Sequence, residues 1–283
     1  MFGDKKVALV ATGGGGRSIA HAGVIQACRD FGIELSLTIG ASAGALATVL
    51  YGQYLDTDKI LDHFRPKGKT KYGLAPFGWG TMVTSKKFFN SNIKNGFFDL
   101  SYAERFFKKN LLTDNFNEVP IKTYVTATNL DTRSGVLFGP GINDNVPISK
   151  ALVASCCIPV MFRPVEINNE YYIDGEIRRP VAAIETVIHL GADVVIVSDT
   201  YNRSIANIAK SGMLNIASEV FNMLLEDKSL KALGTYQEKY PHKLIIPIQP
   251  QIYDFSSFDT KNYEKLYEAG YKAASIKLAE ILK

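Results

Sequence analysis

The chain has 283 residues, of which 46% are hydrophobic and 21% are charged, a balance typical of a folded globular protein with one large or two smaller domains. A formal net charge of +4 is small for a nucleic-acid-binding protein, so no nucleic-acid partner is expected. The three cysteines include the adjacent Cys156 and Cys157 and follow no metal or disulfide pattern, which favours a reducing compartment.

The sequence shows no sign of a signal peptide or of a membrane-spanning helix. The apolar run near the N-terminus is short and ends in glycines, unlike the core of a signal peptide. No stretch reaches the roughly 18 apolar residues that a spanning helix needs. We therefore expect a cytoplasmic protein whose contact with membranes is peripheral. Export as an effector without a leader sequence is also compatible with the sequence.

The order of the predicted elements is typical of an α/β fold. Apolar runs predict strands at 6–11, 33–40, 119–130 and 191–200, and helical patterns occur at 18–32, 43–55 and 147–159. Strands that alternate with helices form a mainly parallel sheet with helices on both faces.

Three further segments complete the predicted elements. Residues 165–175 predict a β-hairpin that turns at Asn168–Asn169. Residues 202–240 and 262–283 each carry an apolar stripe at helical spacing, and the first stripe is expected to pack in the core. The stripes consist of Met213, Ile216, Val220, Met223 and Leu224, and of Leu266, Ala269, Ala273, Ile276 and Ala279.

A serine lies between two glycines in the sequence GASAG, at the junction of the second predicted strand and helix. Gly40 and Gly44 let strand and helix approach each other closely. Ser42 then lies at the start of a helix, where free N–H groups favour negative charge. The pattern favours a nucleophilic serine, and the alternative is a turn of small residues without a chemical role.

Four consecutive glycines follow the first predicted strand and precede the first helix. Their uncovered N–H groups suit a phosphate or an oxyanion. A dinucleotide site is not favoured, because Ser18 stands at the third glycine of that motif, and no P-loop sequence follows. An oxyanion hole remains, with Arg17 as an added positive charge or, alternatively, as a solvated side chain. The loop glycines are Gly13, Gly14, Gly15 and Gly16.

A serine nucleophile needs a proton acceptor. His63, His189 and His242 do not follow predicted strands with an acidic partner, and His21 reads as a packed helix residue. Asp174 ends an apolar strand and precedes a glycine, which suits a carboxylate base at the edge of the sheet. A simple Asp-Gly turn is the alternative.

Together these motifs resemble the patatin-like phospholipase family. The principal matches are GGGGRSIAHAGVI at 13–25, GASAG at 40–44 and IDG at 173–175, with others at 125–135, 154–175, 190–199 and 267–274. The resemblance implies a three-layer α/β/α sandwich with a mainly parallel central sheet. It implies that Ser42 is the nucleophile, that Asp174 is its base, and that the glycine loop with Arg17 forms the oxyanion hole. It also implies hydrolysis of phospholipid or lysophospholipid acyl esters without a metal or cofactor.

The sequence departs from the family pattern at three places. Ser18 replaces the last loop glycine, Glu176 follows Asp174–Gly175 where glycine or alanine is usual, and Arg178–Arg179 replaces an asparagine. We expect Glu176 either to raise the pKa of Asp174 or to pair with one of these arginines. Acyl transfer to another alcohol and an inactive lipid-binding module remain alternatives to hydrolysis.

The resemblance also implies the domain organisation. We expect a single acyl hydrolase domain over 1–283, with a catalytic core at 5–200 and a helical C-terminal part at 201–283 that supplies a closing helix and, as an alternative to core, a lid. Residues 59–95 carry eight Lys or Arg, one acidic residue and interleaved aromatics. This segment suits either docking on anionic headgroups or a solvated basic loop. The sequence identifies no protein activator.

Overall fold

The central sheet of the structure is mixed and has eight strands among the residues described. This computed structural model describes residues 2–64, 100–178, 182–201, 233–255 and 261–283, together with residues 216, 220, 221, 223, 225 and 257. The strands are β1 (Val7–Ala11), β2 (Leu35–Gly40), β3 (Lys122–Asn129), β4 (Gly135–Phe138), β5 (Val165–Ile167), β6 (Glu170–Asp174), β7 (Val194–Ser198) and β8 (Leu244–Ile248).

Helices cover the sheet and connect its strands. The α-helices whose bounds lie within the described residues are α1 (Ala20–Asp30), α2 (Ala43–Tyr54), α3 (Thr57–Phe64), α4 (Ser101–Asn110), α5 (Ile148–Ser155), α6 (Ala182–His189) and α7 (Tyr263–Ile281), and residues 233–239 are also helical. Single 3₁₀ turns span Gly15–Ile19, Phe116–Glu118 and Gly175–Ile177. Each strand and helix predicted up to residue 200 is present with its ends shifted by a few residues, so the predicted α/β fold class is confirmed.

Strands β3, β2, β1, β7 and β8 run parallel in that order. Every residue of β1 is buried. Val7 and Leu9 belong to one apolar core, and Ala8 and Val10 belong to a second core. Because neighbouring side chains of a strand point to opposite faces, helices must cover both faces of this part of the sheet.

Strands β2 and β6 meet end to end along one side of β3. Val125 of β3 pairs with Gly40 of β2 on one side and with β4 on the other. Two residues further on, Ala127 pairs with Asp174 of β6 on one side and again with β4 on the other. Since β4 occupies one side throughout, β2 and β6 share the other, and their carboxyl ends face each other.

The predicted hairpin is confirmed. Strands β5 and β6 pair in antiparallel fashion from Val165 with Tyr172 to Ile167 with Glu170. Asn168 and Asn169 have φ angles of 52° and 65°, which suit a two-residue turn with positive φ at both positions. This turn fixes the register of β6 and therefore the place where Asp174 ends the strand.

The buried face of α7 differs from the prediction. Its buried residues are Leu266, Gly270, Ala274 and Leu278, whereas the predicted Ile276 is 53% exposed. The reason is a close crossing with α1, since a Cβ at Gly23 would collide with the Tyr267 carbonyl and one at Gly270 with the Ala20 carbonyl. Small residues, rather than the largest apolar ones, therefore define this interface.

Two other predictions for the C-terminal part are wrong. It is not wholly helical, because β8 adds a strand to the sheet. Ile216, Val220 and Met223 of the predicted apolar stripe are exposed, which contradicts a core position for them. Most of the basic segment 59–95 and of 202–240 lies outside the described residues. Where the chain is described, none of its helices combines the length and hydropathy that crossing a bilayer requires.

Candidate active site

Ser42 lies at a strained junction between β2 and α2. Its φ of 52° and ψ of −131° are unusual for a residue with a side chain. The glycines beside it are required, since a Cβ at Gly40 would lie 2.6 Å from the Ala45 nitrogen and one at Gly44 would lie 2.6 Å from the Ala11 oxygen. The Ser42 N–H donates to Ser155 Oγ over 2.8 Å, which ties the junction to the end of α5.

Asp174 is fully buried at the end of β6. Its Oδ1 accepts a hydrogen bond from the Glu176 N–H at 3.0 Å. Its Oδ2 has no hydrogen-bond partner among the described residues. Burial raises the pKa of Asp174 to about 7, against smaller opposing effects of the Glu176 N–H and the Ser42 side chain. The carboxylate is thus poised to exchange a proton near neutral pH.

The end-to-end arrangement of β2 and β6 brings these two side chains together. Ser42 lies two residues after Gly40, the last residue of β2, and Asp174 is the last residue of β6. Both residues therefore lie at the gap between the two strand ends. The Ser42 side chain also lowers the pKa of the Cys156 thiol, although burial holds that pKa well above its usual value. The Cys156 thiol therefore stays neutral beside Ser42 and is not a second nucleophile.

The glycine loop runs beside Ser42, but its four amides are not equivalent. A Cβ at Gly13 would lie 3.0 Å from the Ser42 Cβ, which places Gly13 against the serine. Gly14 and Gly15 have positive φ angles of 144° and 60°, and their N–H groups have no acceptor among the described residues. The Gly16 N–H already donates to the Ser257 carbonyl at 2.7 Å, which contradicts its predicted place among the free donors.

Arg17 and His21 are buried beneath the loop. Arg17 is fully buried, so the solvated alternative is wrong, and its charge lowers the pKa of Tyr201 against the larger raising effect of burial. His21 contacts Ser198 Oγ through Nδ1 at 2.7 Å and the Thr12 carbonyl through Nε2 at 2.8 Å. Burial lowers its pKa to about 4, which fits the predicted packed residue rather than a base.

Glu176 does not raise the pKa of Asp174, and the part of the chain that the structure describes shows no bond between Glu176 and Arg178. Its carboxyl is buried and accepts a hydrogen bond from the Gly13 N–H through Oε1, whereas Arg178 is exposed. Arg179 lies outside the described residues. The pKa of Asp174 is raised by burial and not by Glu176. The like charge of Asp174 instead adds to burial in raising the pKa of Glu176 well above its usual value.

The family model of patatin-like phospholipases matches residues 9–186, a range that contains Ser42, Asp174 and the glycine loop. The chain belongs to the patatin-like phospholipase family. The resemblance found in the sequence is thereby confirmed.

Relatives of this patatin-like chain include proteins of the NTE family. The chain is 35% identical to lysophospholipase nte1 of Neurospora crassa over 98 residues, which are 35% of the chain and 5% of that protein. It is 26% identical to an uncharacterised NTE family protein of Mycobacterium tuberculosis over 227 residues, 79% of the chain and 57% of that protein. The chain therefore spans little more than half of one of these relatives and a small part of the other.

Among solved structures, VipD from Legionella pneumophila shares the patatin fold of this chain. The two superpose with a TM-score of 0.52 over 99% of the chain and 67% of VipD, at 17% sequence identity. At this identity the similarity supports the fold. It agrees with the helix-covered sheet described above.

Sequence reasoning missed the residues that follow β7. Tyr201 is buried, and its hydroxyl lies 2.6 Å from the position of a Cβ at Gly13. Thr200 Oγ1 donates to the Gly13 carbonyl, and the Tyr201 N–H donates to Asp199 Oδ1 at 3.0 Å. The missed signal is topological, because β7 is parallel to β1 and its carboxyl end must lie beside the glycine loop.

Proposed function

We propose that this protein is a serine lipid acyl hydrolase that cleaves fatty-acyl esters of phospholipids or lysophospholipids. One observation carries the proposal: a strained, buried serine faces a buried carboxyl with an open Oδ2 and a pKa of about 7. Family membership supports hydrolysis of a lipid ester, and the lysophospholipase name of the Neurospora crassa relative supports the substrate class.

In the proposed mechanism Asp174 Oδ2 takes the proton of Ser42 while Oγ attacks the acyl carbon. The resulting oxyanion accepts hydrogen bonds at the glycine loop, where the Gly14 and Gly15 amides have no acceptor among the described residues. The tetrahedral intermediate then collapses, and Asp174 returns the proton to the departing alcohol. Water attacks the acyl-enzyme in the same way, with Asp174 again as base, which releases the fatty acid and restores Ser42.

We propose that residues 1–283 work as one acyl hydrolase domain, in which α7 closes the helical layer beside α1. The buried α1–α7 crossing at Gly23 and Gly270 supports this assignment. For the protein as a whole we propose a cytoplasmic location or leaderless export as an effector, with the basic segment 59–95 as its contact to anionic lipid. The acyl acceptor is water in this proposal, and acyl transfer to another alcohol is the competing reaction.

The proposal is tested by fluorophosphonate labelling together with fatty-acid release from mixed phospholipid and lysophospholipid vesicles. We expect both to disappear in Ser42→Ala and to fall at least a hundredfold in Asp174→Asn. The matched controls are Ser36→Ala, an exposed serine of β2, and Asp254→Asn, an exposed aspartate, and both should retain wild-type rates. Labelling that persists in Ser42→Ala would refute the assigned nucleophile.

Product analysis separates hydrolysis from its alternatives. Fatty acid released in proportion to acyl-enzyme turnover supports hydrolysis, whereas a new acyl ester with an added alcohol indicates a transferase. A folded wild-type protein that binds vesicles but is neither labelled nor able to release fatty acid would be a lipid-binding module.

A further inference from the structure

Glu176 is a buried acid that the proposed dyad does not use. It lies within two residues of Asp174, and the short 3₁₀ turn Gly175–Ile177 directs its side chain toward the glycine loop. A Cβ at Gly13 would lie 3.0 Å from the Ser42 Cβ and 3.3 Å from the Glu176 Cγ. The Glu176 carboxyl therefore lies on the same side of Gly13 as the serine that would attack the substrate.

The two oxygens of this carboxyl differ in their contacts. Oε1 accepts the hydrogen bond of the Gly13 N–H. Oε2 is buried and has no hydrogen-bond partner among the described residues. Because Oε1 is already an acceptor, a proton on this carboxyl would lie on Oε2, where it forms an O–H donor.

The surroundings favour the protonated acid. Asp174 and Asp199 add negative charge near Glu176, and burial removes solvent; together these raise its pKa well above the usual value. Hydrogen bonds from the Gly13 N–H and the Tyr201 hydroxyl to this carboxyl lower its pKa, but each by less than burial raises it. Among the described residues, Arg17 adds a positive charge to this cluster, and that charge lowers the pKa of Tyr201. The charge of Asp174 makes ionisation of Glu176 more costly, and Asp174 is the one required as a base.

We propose that Glu176 is a neutral carboxylic acid whose Oε2–H donates a hydrogen bond to the oxyanion that Ser42 generates on the acyl carbon. In this arrangement the Glu176 carboxyl lies between the Gly13 amide and the substrate. Its Oε1 accepts from the Gly13 N–H, and its Oε2–H donates to the substrate oxygen. A buried carboxylic acid kept neutral can act as such a donor, and the Gly13 hydrogen bond polarises it further. No proton is transferred, because Asp174 alone exchanges protons with Ser42 and the leaving alcohol.

This inference rests on the proposed hydrolase function, and it predicts different activities for two substitutions of Glu176. Glu176→Gln keeps the acceptor for Gly13 and replaces O–H by an amide N–H donor. Glu176→Ala removes both and restores the small side chain usual in the family. If Glu176 is a donor, the alanine variant should lose roughly a hundredfold in kcat, the loss typical of one oxyanion donor, and glutamine should recover at least tenfold of it.

The pH profile gives a readout that a structural role would not change. Wild-type kcat/KM should rise through about pH 7 as Asp174 ionises and fall at alkaline pH as Glu176 loses its donor proton. The alkaline fall should be absent in Glu176→Gln. An alanine variant as active as wild type, or more active, would overturn the proposal and would make Glu176 a group that blocks the Gly13 amide instead.

A measurement without turnover separates this inference from the proposed function. The infrared spectrum of wild type at about pH 8, where Asp174 is mostly ionised, should contain a protonated-carboxyl C=O band that is missing from Glu176→Gln. Absence of that band from the folded wild type would show an ionised Glu176 and overturn the inference whatever the activity. A wild-type protein with the band but without fluorophosphonate labelling would overturn the proposed function, and with it the donor role.

Discussion

Replacing Asp174 by asparagine should stabilise the fold while it removes the proposed base. The pKa of Asp174 rises from 3.8 to about 7 because of burial. A group whose folded pKa is raised contributes stability below its unfolded pKa, and that stability is lost as pH rises through the folded value. A shift of about three units at roughly 1.4 kcal/mol per unit gives about 4 kcal/mol lost between pH 4 and pH 7.

Asparagine carries no charge, and its side-chain oxygen can still accept from the Glu176 N–H as Oδ1 does now. The free energy of unfolding of Asp174→Asn should therefore exceed that of wild type by up to about 4 kcal/mol above pH 8. The two proteins should converge near pH 4. Urea unfolding between pH 4 and pH 9 measures this difference, with exposed Asp254→Asn as the control that changes by less than about 0.5 kcal/mol. A difference that is independent of pH would refute the buried, raised pKa.

Three other changes test the packing around the site. Burial lowers the pKa of His21 to about 4, so the unfolded chain binds a proton at His21 before the folded protein does. The free energy of unfolding should therefore fall by about 3 kcal/mol as pH falls from 6.5 to 4, and His21→Gln should lose that pH dependence in thermal unfolding. Gly270→Ala should lower the unfolding free energy by about 1–3 kcal/mol through overpacking against Ala20, whereas Gly234→Ala, with open space around it, should not destabilise. Ser155→Ala removes the acceptor of the Ser42 N–H and should lower kcat/KM about tenfold without loss of secondary structure by circular dichroism.

Local patterns predicted the parts of this structure that local physics controls. The apolar run of β1, the glycines around Ser42 and the Asn168–Asn169 turn each require one backbone conformation, so they could be read from a few neighbouring residues. The buried face of α7 could not, because it depends on a close approach between Gly23 and Gly270, which are far apart in the chain. Ile276 is the larger apolar residue and fits the helical spacing, but the face that packs on α1 is set by Gly270 and leaves Ile276 exposed.

The candidate site divides in the same way. Ser42, Asp174 and the loop glycines follow from motifs, since each needs a particular residue at a strand end. The contacts between them do not follow from motifs. The hydrogen bond of the Gly13 N–H to Glu176 joins residues 163 positions apart, and nothing in the sequence near Gly13 indicates that its amide is already engaged.

The meeting of β2 and β6 end to end explains why these distant motifs belong to one site. Because β4 takes the opposite side of β3, the side beside Val125 and Ala127 holds both strand ends, with Gly40 and Asp174 two β3 residues apart. At such a gap the chain must leave the sheet, so it offers both a strained turn for Ser42 and buried polar atoms without ladder partners. The same enclosure excludes water, which raises the pKa of Asp174 and Glu176 together. The strand register thus determines both the position of the candidate nucleophile and the protonation of the two acids beside it.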